Sequence, residues 1–328
     1  MLREDPAGVH GRMTFETRDR YRHVVERIAK RTRRAEFDVA RAAIMLARDA
    51  AQRAPDDHRL AHVGYYLIDE GLPQLEEITE YVPTIRERLH RAVLSHATPV
   101  YFISILLLML VFIGVLVAAL PPASAGALLG VVLVAMLPAS ELAVNAVNQL
   151  VTWVVRPRIV PKLDMREHEI PPEYRTAIVV PTLLASPDAV REALEHLEIQ
   201  YLANRDRRLH FALLSDFTDA LTETVPTDAA AVDGIRALNE RYAGGADDVF
   251  YLFHRCRQWN ERQRVWMGWE RKRGKLAQFN AFLRGGARDA FATIVGDVDV
   301  LRDARFVITL DSDTVLPHDA GQILVGTL

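Results

Sequence analysis

The chain has 328 residues, half of them hydrophobic, so it is long enough for about two domains with buried cores and is not a disordered protein. Lys and Arg number 40 against 43 Asp and Glu, a net charge of −3, and this balance argues against a nucleic-acid partner, whose phosphates would need neutralising. A single cysteine, Cys256, excludes an internal disulfide and a structural zinc site and fits a reducing compartment.

The first part of the chain, residues 1–96, is predicted to be a helical region. The stretch "RYRHVVERIAKRTRRAEFDVARAAIMLARDAA" places apolar residues at intervals of three and four, which is typical of amphipathic helices. In "HVGYYLIDEGLPQLEE" one helix is expected to end at Gly71 and another to begin. The charged stripes of this helical region are interpreted as solvated faces, and the alternative is a surface that binds a partner or a regulator.

A transmembrane hairpin is predicted over residues 97–155. No Asp, Glu, Lys or Arg occurs from Ala92 through Ser140, and "YFISILLLMLVFIGVLVAAL" alone reaches the roughly 20 residues that a bilayer core demands. We predict a first span over about 101–120 and a second over about 127–153. A buried helix of a soluble protein is the alternative for the first span.

The second span carries Pro138 and three polar residues, Glu141, Asn145 and Asn148. The polar residues are four and three apart and share one helix face, which we expect to turn toward protein because a Glu at the bilayer centre costs about 2.5–3.5 kcal/mol. Alternatively, the span ends near Pro138 and these residues lie in the headgroup zone.

Basic residues flank the hairpin on both sides. By the positive-inside rule, this predicts that both soluble parts are cytoplasmic and that the lipid bilayer is a partner of the chain. The residues concerned are Arg86, Arg88 and Arg91 before the hairpin, and Arg156, Arg158 and Lys162 after it.

After a linker at 156–174, residues 175–328 are predicted to form an α/β domain with a mainly parallel sheet. Short β-branched runs alternate with helices: "RTAIVVPT", "LHFALLSD" and "RFVITLDSD", with weaker candidates at "VFYLF" and "RVWMGW". Ser186 is suited to cap the helix that follows the first run, with Pro187 at its first position. Each clear run ends on polar residues, at the edge where open α/β sheets bind ligands.

Three groups of polar residues are candidates for that site. Asp216 ends the second run, where an isolated acid is more often a turn former. Lys272, Arg273 and Lys275 open a helix that continues through Asn280, where cations oppose the macrodipole unless an anion such as a diphosphate neutralises them. A solvated basic turn is the alternative for these cations.

The third group is Asp311 and Asp313 in "FVITLDSDTVLP". In an extended strand residues two apart point the same way, so both carboxylates are expected to face one site, with Ser312 turned aside. Carboxylate oxygens suit a hard divalent ion, which would neutralise a diphosphate and relieve the repulsion between the two acids. A lone pair of this kind is a weak signal that gains weight from the other two groups.

Taken in order, "VVPTLLASPDAV", "LLSDFTDA", "RGKLAQFNAFL" and "ITLDSDT" resemble the donor-binding half of inverting, family-2-like GT-A glycosyltransferases. The pair Lys275 and Asn280 is similar to that family's lysine motif, although the residues between them are larger than usual. The segments "TRDRYRHVVERIAKR", "HVGYYLIDEG", "PPEYRTAIVVPTLL" and "WMGWERKRGKL" resemble the cyclic β-1,2-glucan synthases more closely, and this resemblance covers nearly the whole chain.

The resemblance implies a membrane-bound glucosyltransferase of the bacterial inner membrane. It implies UDP-glucose as donor, Mg²⁺ or Mn²⁺ as cofactor, and a growing β-1,2-glucan as a further partner. By position, Thr182 would lie beside the uracil, Asp216 would contact the uridine and Lys275 the nucleotide or diphosphate. Asp311 would contact the ribose or the metal, and Asp313 the metal.

An inverting transfer also needs a carboxylate base for the acceptor hydroxyl, which the family places further along the chain. We therefore expect a truncated chain, with its acceptor base beyond Leu328, that keeps donor-site residues and is not competent for transfer alone. Two other functions stay open at this point: another processive synthase of the cellulose or hyaluronan kind, and a non-catalytic membrane scaffold with a remnant nucleotide-binding domain.

Overall fold

The computed structural model describes residues 1–122, 124–155, 157, 159–166, 169–223, 229–242, 248–286 and 288–327. The chain divides into two compact units, one comprising Met1–His10 and Arg18–Val160, the other Gly11–Thr17 and Pro161–Leu328. Arg156 and Arg158, two of the basic residues used for the topology prediction, lie outside the described residues.

Helices make up the first unit. Amphipathic faces bury apolar residues such as Tyr21, Ile28, Ile44, Leu67 and Leu75 between them, as the three-and-four spacing predicts. The described helices are α1 (Phe15–Thr32), α2 (Glu36–Arg53), α3 (Val63–Ile68), α4 (Leu72–Ile78), α5 (Ile85–Ser95), α6 (Ala97–Ala119) and α7 (Ala125–Val154).

Helices α6 and α7 are long and apolar enough to cross a membrane, with mean hydropathies of 3.1 and 2.1 over their best windows. They pack against each other through small residues of α7 spaced four apart, Ala135, Ala139 and Ala143. Within this chain almost all of their remaining surface is exposed, unlike that of a helix buried in a soluble core.

The second apolar helix does not end at its internal proline, because α7 continues through Pro138 to Val154. Its 30 residues correspond to about 45 Å, more than the roughly 30 Å of a hydrocarbon core. Asn148 accepts a hydrogen bond from the Tyr101 hydroxyl on α6 at 2.8 Å, whereas Glu141 and Asn145 are exposed. Of the three polar residues on this face, Asn148 is thus the one with a hydrogen bond to α6 among the residues that the structure describes.

A five-stranded sheet organises the second unit, in the order β6-β3-β2-β1-β7. The contacts β3-β2, β2-β1 and β1-β7 are parallel, and β6 is antiparallel to β3. The described elements are β1 (Thr176–Leu184), α8 (Pro187–Ala203), β2 (Leu209–Phe217), α9 (Ala229–Tyr242), β3 (Phe250–Arg255), β4 (Gln258–Asn260), β5 (Val265–Met267), α10 (Arg271–Leu283), β6 (Phe291–Val295), α11 (Val298–Arg302), β7 (Phe306–Thr309) and α12 (Ala320–Val325).

Both faces of this sheet are covered. Along β1, Ile178 and Val180 belong to a core with α8 and α9, whereas Ala177 and Val179 belong to a second core with α10 and α11. Burial on both faces explains why the strands read as continuous apolar runs. The predicted fold class, a helical region, two apolar helices and a mainly parallel α/β domain, is confirmed.

The strand predictions differ from the structure in detail. The weak candidate "VFYLF" is a fully buried strand within the sheet, β3. "RVWMGW" is outside the sheet, because β5 forms a separate two-stranded hairpin with β4. Strand β6 was not predicted, because its sequence "FATIV" is short and only its two end residues are buried.

One ion pair in the first unit is suited to a stability test. Arg91 on α5 donates to both carboxylate oxygens of Glu76 on α4, at 2.7 and 2.6 Å, and the Glu76 side chain is buried. Arg91→Ala would leave that carboxylate buried without its cation, which we expect to lower the free energy of unfolding by about 1–2 kcal/mol, since Arg91 is itself partly exposed.

The matched control is Arg34→Ala, which removes an exposed pair with Glu80 and should cost less than about 1 kcal/mol. Urea unfolding of the detergent-solubilised chain, followed by circular dichroism, measures both variants. Equal losses for the two variants would contradict the expectation.

Candidate functional site

Parallel strands β1, β2 and β3 end at the same edge of the sheet. Their register places Leu183 opposite Asp216 and Ser215 opposite His254, so the last residues of all three strands are neighbours. The residues that follow a parallel strand therefore meet at this edge, as the sequence predicted.

Three charged side chains are buried together there: Asp216 at the end of β2, Arg255 at the end of β3 and Lys275 on α10, here called the Asp216 cluster. Arg255 binds the carboxylate with both arms, Nε to Oδ1 at 2.6 Å and Nη2 to Oδ2 at 2.7 Å. Lys275 Nζ lies 3.2 Å from Asp216 Oδ2. All three side chains are more than nine-tenths buried.

Lys275 also connects this cluster to β1, because its ammonium donates to the backbone carbonyl of Thr182. Burial lowers the pKa of Lys275 below its usual range, and the neighbouring Asp216 carboxylate opposes that shift. Two cations share one carboxylate, so the cluster carries surplus positive charge at the strand ends. Three residues predicted for donor binding, Thr182, Asp216 and Lys275, are thus brought into direct contact.

The guanidinium of Arg255 uses all five of its N–H donors. Besides its two bonds to Asp216, it donates to Trp269 O and Gln278 Oε1, each at 2.8 Å, and to Arg271 O at 3.2 Å. Arg255 therefore fixes the start of α10 relative to the ends of β2 and β3.

The turn before α10 is strained and closely packed. Glu270 and Arg271 adopt left-handed φ angles of 45° and 40°, which side chains rarely take. A Cβ at Gly268 would lie 2.7 Å from Asp216 Cγ, and one at Gly274 would lie 2.0 Å from Trp269 O. Neither glycine of "WMGWERKRGKL" has room for a side chain. Gly268 packs against Asp216 itself, and Gly274 packs against the turn next to the Asp216 cluster.

Each cation at the start of α10 has a carboxylate partner. Arg271 pairs with Asp219 at 3.1 Å, Arg273 with Glu270 at 3.3 Å, and Lys272 with Asp311. The Arg271, Lys272 and Arg273 side chains are well exposed, unlike that of Lys275. Exposed pairs of this kind are weak in water.

The prediction that Asp311 and Asp313 lie on an extended strand is wrong. Strand β7 ends at Thr309, and the acids lie in a turn in which Thr314 N donates to Asp311 O at 3.0 Å. Asp311 contacts Lys272 of α10, whereas Asp313 lines a cavity beside α8. Both carboxylates are exposed, so the strand geometry that would align them is absent but their oxygens are accessible.

The cavity beside α8 has a volume of about 430 Å³ and is lined in part by Thr182, Glu192, His196 and Asp313. Gln200 of α8 holds the loop after the turn, donating to Thr314 O at 2.6 Å and accepting from Leu316 N at 2.8 Å. Asp313 is in this way kept at the same edge of the sheet as Thr182.

A divalent ion would find hard oxygen ligands here, although no group of three or more His, Cys, Asp and Glu side chains in the described ranges could hold a metal. Mg²⁺ needs no such group, since it commonly takes one or two carboxylates and completes its shell with water and substrate phosphates. Asp311 and Asp313 therefore fit as partial ligands of Mg²⁺ or Mn²⁺.

Asn280 is not brought to the site. Five residues on a helix turn about 140° away from Lys275, and Asn280 is exposed. Gln278, three residues after Lys275, binds Arg255 through its side-chain amide oxygen. The sequence analysis missed both Gln278 and Arg255. For Arg255 a signal was available, because this arginine ends an apolar run and the preceding apolar run ends at Asp216.

Comparison with known proteins gives one informative match. The chain is 36% identical over 327 residues, 96% of its length, to Cyclic beta-(1,2)-glucan synthase NdvB of Rhizobium meliloti (strain 1021). It spans only 11% of the length of that protein. No family model matches the chain. The resemblance predicted from the sequence is confirmed, and it extends through both structural units.

The coupling inside the Asp216 cluster can be measured by a double-mutant cycle of Asp216→Asn and Arg255→Gln. Asp216→Asn leaves Arg255 buried without its carboxylate, and Arg255→Gln leaves Asp216 with Lys275 as its one cation. We therefore expect a coupling free energy of about 2–3 kcal/mol in urea unfolding. The exposed pair Asp219 and Arg271, changed to Asn and Gln, is the control and should couple by less than about 1 kcal/mol. A coupling free energy for Asp216 and Arg255 that is no larger than that of the control pair would refute the expectation.

A pH dependence follows from His254, which lies next to Arg255 and shares a hydrogen bond of 2.8 Å with the Ser215 hydroxyl. Burial lowers the pKa of His254 from 6.5 to about 4, while Asp216 opposes the shift and Arg257, Lys275 and Arg255 add to it. The unfolded chain takes up this proton at higher pH than the folded chain does. The contribution of His254 to the free energy of unfolding is therefore fully present above pH 6.5 and is lost as the pH falls toward 4.

Between pH 7 and pH 5 this loss is about 2 kcal/mol. His254→Gln keeps a hydrogen-bonding group and does not titrate, so its unfolding free energy should fall less over the same interval, measured in urea at both pH values. A fall as steep as that of the unaltered chain would show that other groups carry the pH dependence.

Proposed function

We propose that this chain forms the donor-binding part of a membrane-bound glucosyltransferase that uses UDP-glucose to build β-1,2-glucan. One observation carries the proposal: Thr182, Asp216 and Lys275 converge at the carboxyl edge of a parallel sheet, in the order along the chain that family-2-like GT-A enzymes use. The homology to a glucan synthase supports glucan as the product.

The charge of the site supports a diphosphate as the group bound. The Asp216 cluster has one cation more than its carboxylate can neutralise, and Arg271, Lys272 and Arg273 stand exposed at the start of the same helix. A diphosphate there would replace the weak surface pairs with stronger charge-assisted hydrogen bonds.

Asp216 has a more specific role in this proposal than contact with uridine. Both of its oxygens are occupied by Arg255, and one also by Lys275. Its carboxylate holds the two cations in place, and Lys275 in turn fixes the end of β1 through Thr182 O. Contact with the base is assigned in this proposal to Thr182, which lines the cavity beside α8.

The metal would be held by Asp311 and Asp313. A bound ion would supply positive charge that neutralises a diphosphate. Lys272 contacts one oxygen of Asp311 in the structure, so this side chain lies beside the carboxylate and within reach of a diphosphate bound there. The inverting course of the reaction and the bacterial inner membrane as its location belong to the same proposal.

The test is calorimetric titration of the detergent-solubilised chain with UDP-glucose, with and without Mn²⁺. We expect binding that depends on the metal. Asp313→Asn should weaken binding by at least about tenfold, because removing one charged ligand of a charge-assisted contact costs roughly 1.5–3 kcal/mol.

Asp303→Asn is the matched control, since Asp303 is an exposed carboxylate at the opposite end of β7 and pairs with Arg175. Its affinity for UDP-glucose should equal that of the unaltered chain. Absence of UDP-glucose binding by the folded chain, or equal loss in both variants, would overturn the proposed donor site.

A further inference from the structure

Helix α5 has two opposite faces of different character. At 100° per residue, Glu87 and Arg91 lie on one side of this helix, and Ile85, Leu89 and Val93 form a stripe on the other. We refer to these three apolar residues as the α5 stripe.

The polar side is attached to the rest of the first unit. Arg91 binds both oxygens of the buried Glu76 on α4, and Glu87 accepts from the Tyr81 hydroxyl at 3.0 Å. Glu87 also completes a capping box with Thr84 that fixes where the helix begins. The rotation of α5 about its own axis is therefore set.

With the rotation set in this way, the α5 stripe faces outward. Ile85 is 86% exposed and Leu89 65% exposed, and Val93 is also exposed. Arg86 and Arg88, both exposed, lie on either side of the stripe. An apolar stripe bordered by arginines is the pattern of helices that lie in the interface of a membrane.

The position of α5 in the chain places it next to the apolar pair of helices. It ends at Ser95, and α6 begins at Ala97. At His96 the backbone leaves helical geometry, with φ −118° and ψ 36°, so α5 and α6 are two separate helices. If α6 crosses a bilayer, the carboxyl end of α5 is separated from the start of that crossing helix by one residue, His96.

We propose that the α5 stripe lies in the interfacial layer of the membrane that α6 crosses, with Arg86 and Arg88 at the level of anionic lipid phosphates. The inference rests on the membrane location of α6 in the proposed function and is independent of the donor site. The continuity of the stripe with α6 and the two flanking cations favour lipid over a protein partner.

The role of α5 is then to set the distance between the membrane surface and the soluble helices. The polar side of α5 is bonded to α4 through Arg91 and Glu76. If lipid holds the α5 stripe, this bond holds the other helices of the first unit at a set distance from the membrane surface. The same arginines that satisfy the positive-inside rule would serve as headgroup contacts.

Spin-label accessibility tests the proposal on the full chain with Cys256→Ser, reconstituted in phosphatidylcholine vesicles containing a minority of phosphatidylglycerol. A nitroxide at Leu89→Cys should collide with oxygen more than with an aqueous nickel chelate. A label at His90→Cys, the next residue and about 100° around the helix from Leu89, should show less oxygen and more nickel access than the label at Leu89. Leu106→Cys in α6 and Met45→Cys in α2 provide the lipid and water references.

Preferential nickel access at Leu89, as at Met45, would overturn the proposal. So would an immobilised label at Leu89 that neither reagent reaches, which would indicate a protein contact such as a second copy of the chain. If the label at Leu106 is not in lipid, the membrane location of α6 fails and the proposal fails with it, whereas UDP-glucose binding is judged separately. Thermal melting of each labelled variant identifies loss of fold.

Discussion

Two buried cations, Arg255 and Lys275, share the carboxylate of Asp216 at the end of the parallel sheet. Burying three charges is costly unless each is paired and hydrogen-bonded, and here every donor of Arg255 has an acceptor. Because those acceptors come from β2, the turn before α10 and α10 itself, the cluster determines where the exposed cations of that helix lie. The positive surface of the candidate site depends on this one interaction.

Much of the fold could be predicted from the sequence, because its strongest signals are apolar runs. The two long apolar helices, the first two strands and the cap at Ser186, which accepts from Ala189 N at 3.2 Å, lie where the sequence places them. Short or half-exposed elements could not be found in this way. Strand β6 buries only its two end residues, and the β4–β5 hairpin has a three-residue strand on each side.

The sequence predicts which residues belong to the candidate site better than it predicts how they are arranged. Thr182, Asp216 and Lys275 meet because strand ends converge, which is a property of the fold. Arg255 was missed although it ends an apolar run, because its partners on β2, on α10 and in the turn before α10 are brought near it only by folding. Asp311 and Asp313 were expected on a strand because the apolar run continues to Leu310, yet pairing with β1 stops at Thr309. Backbone hydrogen bonds, not hydrophobicity, decide where that strand ends.

The order of strands has a consequence for how the protein is made. Strand β1 pairs with β2, which follows soon after it along the chain, and also with β7, in which Phe306 lies opposite Thr176. Long-range pairings of this kind form late, because the intervening chain must first be ordered. During synthesis, one edge of β1 stays unpaired until β7 leaves the ribosome, while α6 and α7 are already available for insertion. Until then this edge presents unpaired backbone N–H and C=O groups, which can pair with other chains.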